Sequence, residues 1–206
     1  MAKATAISSG SRPTGGCPPK TGMKPMYRLF VAIDLPEEIR QAVTDIGRGL
    51  PGGRRVPREQ LHLTLRFIGE VGNDTFAAVR SALAGIRGTA FPLALRGVGH
   101  FPPGRHPRVL WVGLAESAPL MALQQEVELA LIGAGIPPED RRFSPHLTLA
   151  RLKDTPPHLV AVLEERFRDF SAGPFPVSEF HLYSSALTRA GAIHTREATY
   201  QLISAT

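Results

Sequence analysis

The pentapeptide Leu61-His62-Leu63-Thr64-Leu65 has a counterpart later in the chain: its core, His-Leu-Thr-Leu, returns letter for letter at His146 to Leu149. Strict alternation of this kind reads as a β-strand, with the leucines on one face and the histidine beside the threonine on the other. The chain has 7 histidines among 206 residues, so chance supplies fewer than one His-x-Thr triplet, before any flanking leucines are required. Two such strands, each offering an imidazole next to a hydroxyl, constrain the fold to one that brings them together.

The surrounding pattern repeats as well. Tyr27 to Asp34 reads as a strand, and Pro36 with Glu37 and Glu38 opens a helix running to about Gly49. After the first histidine strand, about Leu61 to Phe67, a helix is predicted from Asp74 to Ile86, then a strand from Phe91 to Val98. The order then starts again. Arg108 to Leu114 is a strand, Ser117 and Pro119 open a helix with Leu120, Leu123, Val127 and Leu131 in a stripe, and His146 to Arg151 is the second histidine strand. Pro156 and Pro157 start a further helix, and Phe175 to Leu187 with Ile193 to Ile203 close the chain as two strands around Gly191. Arg28 and Arg108 are separated by nearly the same number of positions as His62 and His146, which supports two βαβαβ units related by a pseudo-two-fold. The expected fold class is α/β (α+β), bilobal, with the two imidazoles facing one another at the lobe junction, where ligand sites commonly lie.

Composition sets the remaining bounds. Residues 1–25 carry Ser, Gly, Pro, Thr and Lys with few large apolar groups, and are read as a disordered basic tail before a single bilobal domain at 26–206. Met23 and Met26, beside the first strand, offer alternative starts that an intact mass would decide. The formal charge of +6 and pI near 10.1 favour an anionic partner such as nucleic acid. Cys17 is the only cysteine, which excludes an intrachain disulfide framework and a cysteine zinc site and fits a cytoplasmic protein. No run of apolar residues is long enough for a membrane span, and the N-terminus lacks a signal-peptide core. A monomer is expected.

Two facing imidazoles suit displacement at phosphorus without a metal. One, neutral, removes a proton from a water or hydroxyl, and the other, charged, protonates the departing oxygen. Thr64 and Thr148 are placed to hold non-bridging oxygens, and a nearby arginine to stabilise developing charge. Strand parity puts Arg66 on the face of His62 and Thr64, whereas Arg151 has the opposite parity from His146 and reaches the cleft only if its strand ends or bulges near Ala150.

The residues that surround these motifs carry a family resemblance. Arg28-Leu-Phe-Val-Ala-Ile-Asp-Leu-Pro, His62-Leu-Thr-Leu-Arg-Phe-Ile-Gly-Glu-Val, Phe101-Pro-Pro, Pro107-Arg-Val-Leu-Trp-Val-Gly-Leu and Pro145-His-Leu-Thr-Leu-Ala-Arg resemble the RNA 2′,3′-cyclic phosphodiesterases. These enzymes, once called 2′-5′ RNA ligases, belong to the two-histidine phosphoesterase superfamily. The resemblance spans Tyr27 to about Leu187 and implies a bilobal fold and metal-independent, cofactor-free hydrolysis of an RNA terminal 2′,3′-cyclic phosphate to a 2′-phosphomonoester. It implies that His62 is the general acid and His146 the general base, with Thr64, Thr148 and Arg151 on the phosphate. Arg66 and Phe67 are candidate substrate contacts, Phe67 through a nucleobase. One departure is His194, where many relatives have a tyrosine.

Plainer readings stand beside this one. Two histidines satisfied on unrelated strands would not explain the matched repeat, and a metal site would lack carboxylates inside either motif. His100, His106, His158, His181 and His194 are expected to be surface or structural, Trp111 to be core, and Gly104 a turn. Arg54, Arg55 and Arg58, like Arg141 and Arg142, are expected either to flank the cleft or to be solvated loop charge. A non-catalytic RNA-binding module, hydrolysis of a small cyclic phosphate, and reversible 2′-5′ ligation all remain compatible with the motifs, because these address the phosphate and not what is attached to it.

Overall fold

In a computed structural model the described residues are 26–104, 106–188 and 191–204. The expected tail at 1–25, with Cys17 and Met23, lies outside them. The chain begins with β1 (Tyr27–Asp34), α1 (Glu37–Ala42) and β2 (Gly53–Arg55), and a 3₁₀ turn at Arg58–Gln60 leads into β3 (His62–Val71). Next come α2 (Asn73–Leu83), β4 (Phe91–Phe101), β5 (Val109–Leu114) and α3 (Ala118–Gly133). The second histidine strand is β6 (His146–Leu152), followed by α4 (Pro157–Arg166), β7 (Ser171–Val177), β8 (Glu179–Thr188) and β9 (Gly191–Gln201).

Two local differences from the sequence reading have physical causes, and one cap stands as read. The first helix stops at Ala42 instead of about Gly49, since Gly47 and Gly49 take φ of 78° and 79° in the turns that follow, although Val43 and Ile46 stay buried. The Ser117 hydroxyl accepts from the Leu120 amide, so α3 starts where its cap predicted. The strand expected at Phe175 to Leu187 is two strands. Its first part, with Pro174 and Pro176, lies in β7 at the sheet edge, where proline's missing donor costs least, while β8 joins the opposite side.

The strands form one sheet in the order β7-β4-β5-β6-β3-β1-β8-β9, with β2 added onto β6, and each ladder is antiparallel. The histidine strands are therefore the two central ones, and they meet at one pair, Leu63 opposite Leu147. On either side the order is symmetric: β3-β1-β8-β9 outward one way, β6-β5-β4-β7 the other. The pseudo-two-fold relates these two wings, not the two halves of the sequence, because β4 crosses to pair with β5 and β8 returns to pair with β1. The helix-facing side of the sheet is the core: Leu63 and Leu147 are 1% exposed, and Val31, Leu110, Val112 and Leu182 are fully buried. Each such side chain contributes roughly 1.5–3 kcal/mol through removal from water. The Val79, Leu120, Val127 and Val160 faces of α2, α3 and α4 close over it.

Candidate active site

β3 and β6 have the same burial sequence over six residues. From His62 to Phe67 and from His146 to Arg151 the positions run half-buried, buried, half-buried, buried, buried, exposed. The two consecutive buried positions mark a bulge in each strand. Opposite β3, Ala32 pairs with Thr64 but Val31 pairs with Arg66, skipping Leu65. Opposite β6, Trp111 pairs with Thr148 but Leu110 pairs with Ala150, skipping Leu149. One extra residue reverses which face every later side chain takes.

The bulges reassign both arginines. Arg151, exposed and paired with Val109, lies on the face of His146 and Thr148, as the bulge near Ala150 allows. Arg66 goes the other way, and the parity expectation for it is corrected. It is 8% exposed, and its Nε donates to Glu128 of α3 at 2.6 Å and its Nη1 to Glu139 at 3.1 Å. Nη2 also donates to the Pro137 carbonyl at 2.8 Å. It ties the sheet to α3 and the loop after it, away from the cleft. Phe67, which pairs with Phe30, takes the cleft-side position and is 43% exposed, with the Arg28 guanidinium 4.9 Å from its ring centre. Under the repeat, Phe67 is the counterpart of Arg151.

Each histidine is held in the same way. His62 Nδ1 lies 2.8 Å from the Gln60 carbonyl and His146 Nδ1 lies 2.7 Å from the Ser144 carbonyl, both two residues upstream. A carbonyl only accepts, so Nδ1 carries hydrogen in both rings, and Nε2 is left to exchange a proton with whatever occupies the cleft. With Leu63 opposite Leu147 in antiparallel strands, His62 falls alongside Thr148 and His146 alongside Thr64. Each imidazole thus has a hydroxyl on its own strand and another across the seam. Phe101 sets its ring edge-on to His146 at 5.0 Å, and Phe30 stacks on His62 at 4.9 Å.

Around His62 the structure adds residues that the motif did not announce. His194 of β9 packs edge-on against His62 at 5.4 Å and against Phe30 at 4.9 Å, and both histidines line a cavity of about 270 Å³ with Asp34, Glu59, Gln60 and Tyr183. The Gln60 amide donates to the Ala192 carbonyl at 2.8 Å, which holds the β8–β9 hairpin against this wall. Tyr183 donates to Asp34 at 2.7 Å, and Arg196 pairs with the same carboxylate. His194, expected to be surface or structural and marked in the sequence by standing where many relatives have a tyrosine, instead lines the His62 cavity, since which strand β9 reaches is a property of the sheet. Burial lowers the His62 pKa to about 4, a drop opposed by the Gln60 carbonyl and Asp34 and reinforced by His194. Burial also lowers His194, and it raises Tyr183 together with the hydrogen bond to Asp34.

The other expectations resolve individually. Trp111 is not helix-side core: it pairs with Thr148, so it lies on the cleft face, where its ring covers Gly99 so closely that a Cβ there would meet it at 2.3 Å. His181 is buried and structural, its Nδ1 3.0 Å from the Thr199 hydroxyl, and His100 bonds Glu164 at 2.6 Å. Arg58 pairs with Glu37 and Arg55 donates to the Thr44 carbonyl, whereas Arg54 lies directly opposite Arg151 on β2. Arg141, 91% exposed, reaches Glu139 at 3.5 Å. Among the described residues no three His, Cys, Asp or Glu side chains group as metal ligands. No described helix is long and apolar enough to cross a membrane.

Comparison with known proteins shows what the chain as a whole is similar to. An RNA 2′,3′-cyclic phosphodiesterase of Archaeoglobus fulgidus is 36% identical over 170 residues, 81% of this chain and 96% of that protein. One of Aeropyrum pernix is 43% identical over 144 residues, 68% of this chain and 81% of that one. A crystal structure of E. coli LigT complexed with 3′-AMP superposes with a TM-score of 0.69 at 30% identity, covering 86% of this chain and 99% of LigT. A sequence model of the 2′-5′ RNA ligase superfamily matches residues 35–189, and on these grounds the chain belongs to that superfamily, with the fold of the two-histidine phosphoesterases.

Proposed function

We propose that the protein hydrolyses the 2′,3′-cyclic phosphate at an RNA end to a 2′-phosphomonoester, by general acid and base catalysis between His62 and His146 and without a metal. The observation that carries the reading is the matched pair of imidazoles on the two central strands. Each has Nδ1 spent on a carbonyl two residues upstream and Nε2 available on the same face of the sheet. Relatives named RNA 2′,3′-cyclic phosphodiesterase support the substrate class.

In this reading water adds to phosphorus and gives a proton to Nε2 of His146. The bond from phosphorus to the 3′ oxygen breaks as that oxygen takes a proton from Nε2 of His62. Thr64, Thr148 and Arg151 hold the non-bridging oxygens and share their charge, and Phe67 offers a face for a base. His62 has to be charged to act as the acid, yet burial keeps it neutral in the free protein. The bound phosphate supplies the compensating charge: an anion beside His62 favours the imidazolium, so the acid is armed by its own substrate. A 5′ hydroxyl in place of water would make the same step a 2′-5′ ligation.

The test is turnover of a cyclic-phosphate oligonucleotide and of a nucleoside 2′,3′-cyclic phosphate, with products resolved. His62→Ala and His146→Ala are each expected to abolish 2′-phosphate formation while retaining the wild-type circular dichroism spectrum, and a chelator is expected to leave the rate unchanged. Full activity in either variant refutes the mechanism. Salt-sensitive RNA binding without turnover by the wild type would make the protein a binding module instead.

A further inference from the structure

A second cavity, larger than the one beside His62, lies away from the histidines among the described residues. It opens past the end of β6, beyond Arg151, has a volume of about 590 Å³, and is lined by His106, Arg108, Lys153, Asp154 and Thr155 among others. Arg108 and Lys153 are exposed cations, and Asp154 is the only acid among the described residues of its wall.

The backbone that presents these cations is firmly braced. The Leu152 amide donates to the Arg108 carbonyl at 2.7 Å and the Lys153 amide to the Gly52 carbonyl at 2.9 Å. Thr155, 5% exposed, donates its hydroxyl to the Pro51 carbonyl at 2.8 Å. Gly52 has a φ of +71°, and a Cβ there would lie 1.9 Å from the Lys153 carbonyl oxygen, so two backbones are in direct contact. Asp154 turns the chain with a φ of 53°, the one positive φ among the described non-glycine residues. The backbone of Lys153, bonded to Gly52 and followed by this left-handed residue, therefore starts its side chain from a braced position.

The placement gives the cations a direction. Lys153 follows Arg151 by two residues, about 6.6 Å along an extended chain, and Arg54 lies opposite Arg151 in the β2–β6 ladder. Arg54, Arg151 and Lys153 therefore run as neighbouring cations from the cleft face to a cavity large enough for a nucleotide unit, whose wall Arg108 joins from the start of β5. Such a row matches successive phosphates of one strand better than a single small anion.

We propose that this cavity is a polynucleotide subsite, in which Arg108 and Lys153 bind the phosphodiester upstream of the reacting end and make an RNA strand the preferred substrate over a nucleoside cyclic phosphate. The proposal rests on the reading of the histidine cleft as a cyclic-phosphate site. Both residues lie outside the chemistry, so the subsite acts on strand binding and leaves the bond-breaking step alone.

The experiment compares wild type, Arg108→Ala, Lys153→Ala and Lys153→Glu on two substrates, a short oligoribonucleotide ending in a 2′,3′-cyclic phosphate and the matching nucleoside 2′,3′-cyclic phosphate. Binding of a fluorescent, non-reacting oligoribonucleotide with a 2′-phosphate end is followed in parallel by anisotropy across a salt series. Each variant is expected to lose roughly tenfold in kcat/KM on the oligonucleotide through KM, with the nucleoside substrate unchanged and the log–log salt slope shallower by about one. Equal losses on both substrates, or none on either, would overturn the proposal. If wild type turned over neither substrate, the cleft reading itself would fall, and anisotropy would then decide the subsite: unchanged binding by Lys153→Glu would overturn it too.

Discussion

Replacing Arg66 by methionine tests whether the bulge in β3 takes this side chain out of the cleft. Methionine keeps much of the length and removes all five donors. In the wild type Nε and Nη1 bind Glu128 and Glu139 at 2.6 and 3.1 Å, and Nη1 and Nη2 bind the Phe67 and Pro137 carbonyls at 2.5 and 2.8 Å. Arg66 is 8% exposed and Glu128 19%, so the substitution strands a carboxylate that water reaches poorly. Breaking a buried pair by removing one partner costs about 3–5 kcal/mol. Glu139 is 33% exposed and regains solvent, which puts the expected cost at the lower end, about 3 kcal/mol. For a domain of this size that lowers Tm by roughly 6–12 °C. Thermal unfolding followed by circular dichroism gives the shift, and turnover is measured well below the variant's Tm. The expected result is the lower Tm with kcat/KM held within about twofold. An unchanged Tm with turnover lost would place the guanidinium in the cleft and refute the bulge argument.

Three further outcomes follow from the same geometry. His62, lowered from 6.5 to about 4, favours the fold fully only above the unfolded value, so its contribution, up to about 3 kcal/mol, is lost as pH falls from 6.5 through 4. Tm of the wild type should drop more steeply over that window than Tm of His62→Ala, and the His62 ring should titrate by NMR near 4, moving upward when inorganic phosphate is added; a free-protein midpoint at 6.5 would sink the burial argument. Arg151→Ala should lower kcat about 10²–10³-fold with little change in stability, Arg151→Lys restoring only part because a point charge cannot bind two oxygens at once; steady-state kinetics and Tm of both variants check this. Phe67→Ala should raise KM for a cyclic-phosphate substrate, by a factor consistent with about 1–3 kcal/mol of lost stacking, and leave kcat nearly unchanged; a fall in kcat alone would place Phe67 with the chemistry instead.

Much of the site could be read from the chain because it is written locally. A histidine and a threonine two residues apart share a face of any regular strand, so His62 with Thr64 and His146 with Thr148 needed no tertiary information. The leucines between and beside them, 1–4% exposed, specified the core side equally well. Helix stripes and caps were legible for the same reason, as at Ser117 and along Leu120, Leu123, Val127 and Leu131.

Past Thr64 and Thr148 that local rule fails, because one skipped residue in each ladder inverts the faces and no residue type announces a bulge. The two arginines, both expected at the substrate, therefore part company: Arg66 anchors α3, and Arg151 takes the cleft face that strand parity alone denied it. Which strands become neighbours was equally out of reach, since alternation describes a strand's faces and says nothing about its partners. Only the folded sheet crosses β4 and β8 between wings, brings His194 of β9 onto His62, and sets Arg54 beside Arg151. The chain alone determined which chemical groups stand on each strand. Hydrogen-bond register, a property of two strands at once, decided which of those groups share a site.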